Sequence, residues 1–212
     1  MSNNFKKILV LAPHTDDAEL GCGGTIAKFI EVGKEVFWAV FSKAFVPREF
    51  SSNPNVVLEE LKESAKILGI NFRNLLIYDY PVRHFSEHRQ DILEKMLKLK
   101  EEIKPDIVFI PSSNDIHQDH SVIFQEGLRA FKHITIFGYE IPWNNLTFDT
   151  TCFIYLNKQH VEKKATAIEQ YKSQSHRPYI NKDFVEHLAR SRCLQIGTQY
   201  AEAFEVIRLL MI

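Results

Sequence analysis

Short apolar runs alternate with longer stretches of helical period along this chain, and that alternation constrains the fold more than any other feature of the sequence. The runs Ile8–Ala12, Val36–Phe41, Leu75–Tyr78, Ile107–Ile110 and Ile134–Tyr139 are rich in Leu, Ile, Val and aromatic residues. They lack the polar alternation of a strand with one wet face, so both faces of each must be covered. Helical period fills the intervals: Ala18–Val32 up to Gly33, Val57–Leu68 up to Gly69, Arg89–Lys104 up to Pro105, and Ser121–Phe131. Glycine stops a helix by taking up the left-handed conformation at its end, and proline stops one because it lacks the N–H the helix needs. Beyond Tyr139 the pattern gives a strand at Cys152–Leu156, helices over roughly 160–173 and 183–196, and a last strand near Phe204–Arg208. Alternating helices and wholly apolar strands predict an α/β fold, a mostly parallel sheet with helices on both faces. In such a sheet functional loops gather at the carboxyl ends of the strands.

The 212 residues suffice for one domain, and residues 1–212 read as a single unit with no linker. A domain of this size buries roughly 70% of the surface its unfolded chain exposes, so it folds without a disulfide or a structural metal. Any metal is then free for catalysis. The 26 basic and 27 acidic residues give a formal net charge of −1, without the basic excess of a nucleic-acid binder. Cys22, Cys152 and Cys193 are far apart and form no CxxC pair, which argues against both a disulfide framework and a thiolate zinc cluster. The first residues lack the long apolar region of a signal peptide, and no apolar run reaches transmembrane length, so a cytoplasmic protein is expected. The segment 42–56, with its Pro, Ser and Asn, reads as a mobile loop. A homo-oligomer is left open.

Two motifs carry chemistry. Pro13-His14-Thr15-Asp16-Asp17 directly follows the first strand. Asn114-Asp115-Ile116-His117-Gln118-Asp119-His120 follows the strand Ile107–Ile110 after Pro111-Ser112-Ser113. In a parallel sheet both loops open onto one edge, although about 100 residues separate them in sequence. Three imidazoles (His14, His117, His120) and four carboxylates (Asp16, Asp17, Asp115, Asp119) then converge. A catalytic zinc takes three N or O ligands and leaves one position open, which two histidines and one carboxylate satisfy. The surplus supplies a general base and a polarising group, and the residue pattern alone does not say which is which. Each motif also has a plainer explanation. Asp16 or Asp17 would suit the N-cap of the following helix, and a lone HxxH is often surface decoration. Their joint placement at two strand ends favours the metal site.

Gly21-Cys22-Gly23-Gly24 invites comparison with a dinucleotide-binding turn. That fingerprint starts in the turn straight after the strand, where this chain has His14 and two aspartates that would repel a pyrophosphate. The second strand also runs into Phe41-Ser42-Lys43, with no acidic residue at its end. Glycines inside the predicted helix fit close packing on the sheet better.

Residues 13–25, Pro-His-Thr-Asp-Asp-Ala-Glu-Leu-Gly-Cys-Gly-Gly-Thr, resemble the opening signature of the LmbE-like / PIG-L N-deacetylases, usually His-Pro-Asp-Asp followed by Leu-Gly-Cys-Gly-Gly. His117-Gln118-Asp119-His120 is similar to that family's second signature, usually His-Pro-Asp-His. Tyr171-Lys172-Ser173-Gln174 and Ala201-Glu202-Ala203-Phe204 resemble its later segments. The resemblance implies a Rossmann-like fold and Zn2+ bound by His14, Asp17 and His120. It implies Asp16 as general base, and His117 as the group that steadies the oxyanion or protonates the leaving amine. Asp119 would orient His117. Thr15 and Gln118 replace the usual prolines at positions that supply no ligand. Val57 stands where many members carry a substrate-binding Arg, about three residues before a helix glutamate matching Glu60. Arg83 and Arg89, which follow the third strand, are candidate replacements, with a solvated arginine as the plainer reading of each. Trp143 and Tyr139 are candidates for stacking on a sugar ring, with core burial as the plainer reading.

The expected function is zinc-dependent removal of an N-acetyl group from a small-molecule amino sugar or its nucleotide- or lipid-linked conjugate, giving a free amine and acetate. A protonated His117 is expected to face the oxyanion while Asp16 takes a proton from the attacking water. The rival readings are a metal-dependent amidase for a larger acyl group, a phosphoesterase, and a nucleotide-sugar binding protein without catalysis.

Overall fold

The computed structural model describes residues 5–43 and 55–210. Its elements run β1 (Lys7–Ala12), α1 (Asp17–Glu31), β2 (Glu35–Val40), α2 (Val56–Leu68), β3 (Leu75–Ile77), α3 (Arg89–Ile103), β4 (Ile107–Pro111), α4 (Gln118–Ala130), β5 (Thr135–Tyr139), β6 (Cys152–Leu156), α5 (Lys158–Ile168), α6 (Lys182–Cys193) and β7 (Tyr200–Arg208). The strands form one sheet in the order β3-β2-β1-β4-β5-β7-β6. The first five pair in parallel, and β7 lies antiparallel between β5 and β6. Alternate residues of β1 feed two apolar layers. Ile8, Val10 and Ala12 pack with α1, α2, α5 and α6, whereas Leu9 and Leu11 pack with α3 and α4. The wholly apolar strand sequence follows from this, since neither face meets water. From β1 the chain builds β2 and β3 on one side, then crosses to β4 and β5 on the other. The gap between the carboxyl ends of β1 and β4 is therefore the topological switch point, where open α/β sheets bind ligands.

Helix α1 is broken at Cys22 (φ −148°, ψ 23°), which frees backbone groups that an unbroken helix would pair. A buried ion pair takes them up. Gly24 N and Thr25 N donate to the Glu202 carboxylate at 3.0 and 2.7 Å. Lys164 Nζ donates to Glu202 at 2.6 Å and to the Leu20 carbonyl at 2.8 Å. The glycines here are close-approach residues: a Cβ on Gly21 would stand 2.3 Å from Tyr139 Cδ2, and one on Gly24 would stand 2.5 Å from Leu156 Cδ1. The packing role read from the sequence holds for both.

Four boundaries differ from the sequence expectation by three residues or more. Helix α4 starts at Gln118 rather than Ser121, with His117 as its cap. The helix expected over 160–173 ends at Ile168 and is followed by a separate short turn at Lys172–Gln174. The helix expected over 183–196 ends at Cys193 and passes into a 3-10 turn. The last strand starts at Tyr200 rather than Phe204, because the buried Glu202 interrupts its apolar run without interrupting its pairing. Of the expected mobile loop 42–56, residues 44–54 lie outside the described residues. No helix among the described residues is long and apolar enough to cross a membrane.

Candidate metal centre and catalytic groups

The loops after β1 and β4 meet across the switch point. In the first, His14 N donates to Asp17 Oδ2 at 2.7 Å, so the turn between strand and helix closes on its own carboxylate. Asp16 occupies the N-cap position of α1, but its side chain makes no capping bond. Neither aspartate is used as a cap, and the plainer explanation of this motif does not hold. In the second loop His117 caps α4: its Nδ1 accepts from Asp119 N at 3.2 Å.

His14, Asp17 and His120 are all buried and offer their donor atoms to one point. His14 Nδ1, Asp17 Oδ2 and His120 Nε2 form a nearly equilateral triangle with edges of 3.2, 3.2 and 3.3 Å. Ligands about 2.0–2.1 Å from a tetrahedral ion stand about 3.3 Å apart, so this donor set fits a zinc-sized cation. The far nitrogen of each imidazole is held by a buried carboxylate. His120 Nδ1 meets Asp115 Oδ2 at 2.6 Å, and His14 Nε2 meets Asp119 Oδ2 at 3.0 Å. Such a partner fixes the ring proton on the outer nitrogen and leaves the inner lone pair for a metal. His14, His117 and Asp119 form a second, more open donor group.

The role expected for Asp119 changes. Its carboxylate reaches His14 rather than the ring of His117, and it also accepts from Arg83 N at 2.7 Å and Phe85 N at 3.4 Å. It joins His14 to the 83–85 loop, and only its backbone N–H meets His117. Asp115, counted among the acids but given no task from sequence, holds His120 and also accepts from His117 N at 2.9 Å. A signal for it was available: an acid five residues before the last histidine, in the loop that must turn back over the strand end.

Charge follows the same arrangement. Burial opposes a charge on His120, yet Asp17 and Asp115 outweigh it and push the pKa up to about 10. Burial likewise opposes charge on His14, and Asp119 and Asp17 raise its pKa nonetheless. Despite its own burial, Asp17 is held well below the usual carboxylate range by His120 and His14. This acid-rich cluster demands positive charge, which protons or a cation can supply. Asp16 differs, because burial and the neighbouring Asp17 raise its pKa, and Arg177 and His14 only partly offset them. His117 is half-buried, and desolvation together with His120 and His14 lowers its pKa to about 4. This direction works against the protonated His117 expected from sequence and favours a neutral ring. Its Nδ1 accepts from Asp119 N, which leaves the proton on Nε2.

The candidate substrate residues separate. The Arg89 guanidinium meets the fully buried Glu126 at 2.6 and 2.8 Å, and Arg129 shares that carboxylate at 2.6 Å. It serves as the counter-charge of buried Glu126 on α4. Arg83 is exposed beside the site. Its backbone has positive φ (71°), donates to Asp119 and accepts from Gln118 Nε2 at 2.6 Å. Val57 is fully buried in the core, and Glu60 accepts from Ser173 N at 2.8 Å and Ser173 Oγ at 2.6 Å. Tyr139 is fully buried and donates to the Leu11 carbonyl at 3.0 Å, so it is a core residue and not a sugar platform. Tyr171 donates to the Thr15 carbonyl at 2.6 Å, tying the later Tyr-Lys-Ser-Gln segment to the first motif. Arg177, whose charge acts on Asp16, was not singled out from sequence, where an arginine in a loop carries no signal.

A His/Asp centre able to hold a metal, set at the switch point of a Rossmann-like sheet, places the chain among α/β proteins with a candidate metal site at their strand ends. The particular family follows from comparison. Residues 9–131 match the family model PIG-L, GlcNAc-PI de-N-acetylase, and the chain belongs to that family of N-deacetylases. It is similar to the uncharacterized deacetylase YaiS of Escherichia coli K12, with 28% identity over 182 residues, 81% of this chain and 94% of that one. It is also similar to the diacetylchitobiose deacetylase of Thermococcus kodakarensis, with 32% identity over 127 residues, 56% of this chain and 46% of that one. The solved structure of the 4-carboxy-2-hydroxymuconate hydratase GalB of Pseudomonas putida KT2440 superposes with a TM-score of 0.77 at 19% identity, covering 98% of both chains. That likeness shows the fold alone, and it shows that the fold also serves other reactions.

Proposed function

We propose that this protein is a zinc-dependent hydrolase that removes the N-acetyl group of an amino sugar or of a small conjugate carrying one. The observation that carries the reading is the His14–Asp17–His120 triangle flanked by two groups it does not use, the Asp16 carboxyl and His117 Nε2. Family membership and the names of the relatives support N-deacetylation over the phosphoesterase reading. A zinc ion bound by the three ligands would supply Lewis acidity, polarising the amide carbonyl and making the attacking water more acidic. Asp16 accepts the proton of that water as the new C–O bond forms, and its raised pKa makes it a stronger base than an ordinary carboxylate. The neutral His117 donates its Nε2–H to the oxyanion of the tetrahedral intermediate. As the C–N bond breaks, Asp16 returns its proton to the nitrogen, releasing the amine and acetate. Arg83 is the better placed of the two arginines to meet the substrate. The test is amine release from a panel of N-acetylated sugars, with and without a chelator, alongside the metal content of the protein. Release that needs the metal supports the reading. No release from any sugar by metal-loaded protein refutes it.

A further inference from the structure

The segment after β5 brings an exposed aromatic ring to the rim of the site. Trp143 is 40% exposed, although its indole stacks on Tyr179 with ring centroids 3.6 Å apart and planes 10° from parallel. Phe184 closes against it at 6.0 Å. One face of the indole is therefore backed and held flat, which costs a ligand little ordering on the exposed side. Two links fix Trp143 relative to the chemistry. On one side Arg177 donates to Tyr179 Oη at 2.7 Å, and the charges of both Arg177 and Asp16 act on Tyr179. On the other, Ile116 N donates to the Asn144 carbonyl at 3.1 Å, and Asp115 forms a bridge with Asn145. Residues adjoining the platform thus hold the loop of Asp115, His117 and His120. Ile116 and Leu146, 63% and 81% exposed, extend the apolar rim.

We propose that the exposed face of Trp143 is a subsite for a second, neutral sugar ring, glycosidically linked to the N-acetylated sugar that reacts over His14, Asp17 and His120. This rests on the deacetylase reading above. A pyranose presents a flat face of C–H groups that packs on an indole, while its hydroxyls need polar neighbours at the edge. Asn144 and Thr147 stand beside the ring in sequence, whereas the Asn145 amide is taken up by Ile141 N at 2.9 Å and Ser112 Oγ at 2.5 Å. Residues 140–151 contain two charged side chains, Glu140 and Asp149, both acidic, and Glu140 already accepts from Arg192 at 3.0 Å. The segment itself thus brings no cation to hold a phosphate, which suits an uncharged ring.

The test compares the metal-loaded wild type with Trp143→Ala and Trp143→Phe on three substrates that each carry one N-acetyl group. These are the methyl glycoside of N-acetylglucosamine, galactosyl-β-1,4-N-acetylglucosamine and N-acetylglucosaminyl-β-1,3-galactose. The wild type is expected to favour at least one disaccharide over the methyl glycoside in kcat/KM. That preference should fall by about 3- to 10-fold in Trp143→Ala and less in Trp143→Phe, which keeps an aromatic ring on Tyr179. Wild type without preference for either disaccharide, or an unaltered preference in folded Trp143→Ala, overturns the subsite. Release from none of the three sugars by the wild type overturns the deacetylase reading itself.

Discussion

Replacing Asp115 by Asn would change one proton acceptor into a donor without changing its shape. Asp115 Oδ2 faces His120 Nδ1 at 2.6 Å, while its Oδ1 accepts from His117 N at 2.9 Å. An Asn that keeps its oxygen on His117 N must point its amide hydrogens at His120 Nδ1. That nitrogen must then accept, so the ring proton moves to Nε2, the atom turned toward His14 and Asp17. The opposite rotamer sets two donors against each other at His117 N. Loss of such an outer partner costs a metal site roughly 10- to 100-fold in affinity. This corresponds to about 1.4–2.7 kcal/mol. Competition for Zn2+ against a chromophoric chelator measures it directly. Asp106→Asn is the matched control, because Asp106 accepts from Lys6 N and Lys7 N at 2.7 and 2.9 Å near the opposite, amino end of the sheet. Wild-type zinc affinity in folded Asp115→Asn would refute the reasoning that Asp115 sets the His120 tautomer.

Asp16→Asn should keep its metal and lose turnover by roughly 10²- to 10⁴-fold, and a metal-loaded variant with wild-type kcat would remove Asp16 from the mechanism. His117→Ala should lose about 10²-fold in kcat. The pH profile separates these two groups. Asp16 acts deprotonated and its pKa is raised, so kcat/KM should fall as pH drops through that raised value. His117, at about 4, is already neutral above that pH and should contribute no alkaline limb. An alkaline limb that disappears in His117→Ala would show that the ring works protonated after all. Gly21→Ala places a methyl group 2.3 Å from the Tyr139 ring, and overpacking of this kind costs about 1–3 kcal/mol. An unchanged Tm would contradict that contact. Arg83→Ala should raise KM for the sugar, whereas Arg89→Ala should instead lower thermal stability by weakening the counter-charge of buried Glu126. Equal KM effects in the two would put substrate recognition elsewhere.

The parallel half of the sheet was legible because its strands are covered on both faces and carry no charged residue, Ser, Thr, Asn or Gln after their first position. Both motifs could be placed at strand ends for the same reason. β7 was harder: its buried Glu202 looks like a loop residue until Lys164 and the two amides of α1 are seen around it. The convergence of His14, Asp17 and His120 was within reach of sequence through the placement of the two motifs, while their choice as a ligand set came from the resemblance. The task of Asp119 was not, since the sequence puts it two residues from His117 and cannot show that its carboxylate turns toward His14, 105 residues away. The pairing of Arg89 with Glu126 was hidden for a similar reason, as nothing local announces that partner. Arg177 reaches Asp16 only through tertiary folding.

Glu202 also ties the two ends of the chain together in time. The amides it receives belong to Gly24 and Thr25, 178 and 177 residues earlier. By residue 120 a nascent chain holds His14, Asp16, Asp17, His117 and His120, yet the break in α1 still lacks its counter-charge. Until the last strand slots between β5 and β6, the Gly24 and Thr25 amides must rely on water instead of Glu202. A chain truncated before Tyr200 would hold the whole His/Asp centre on an unsecured helix. Assembly of a competent site is thereby coupled to completion of the sheet.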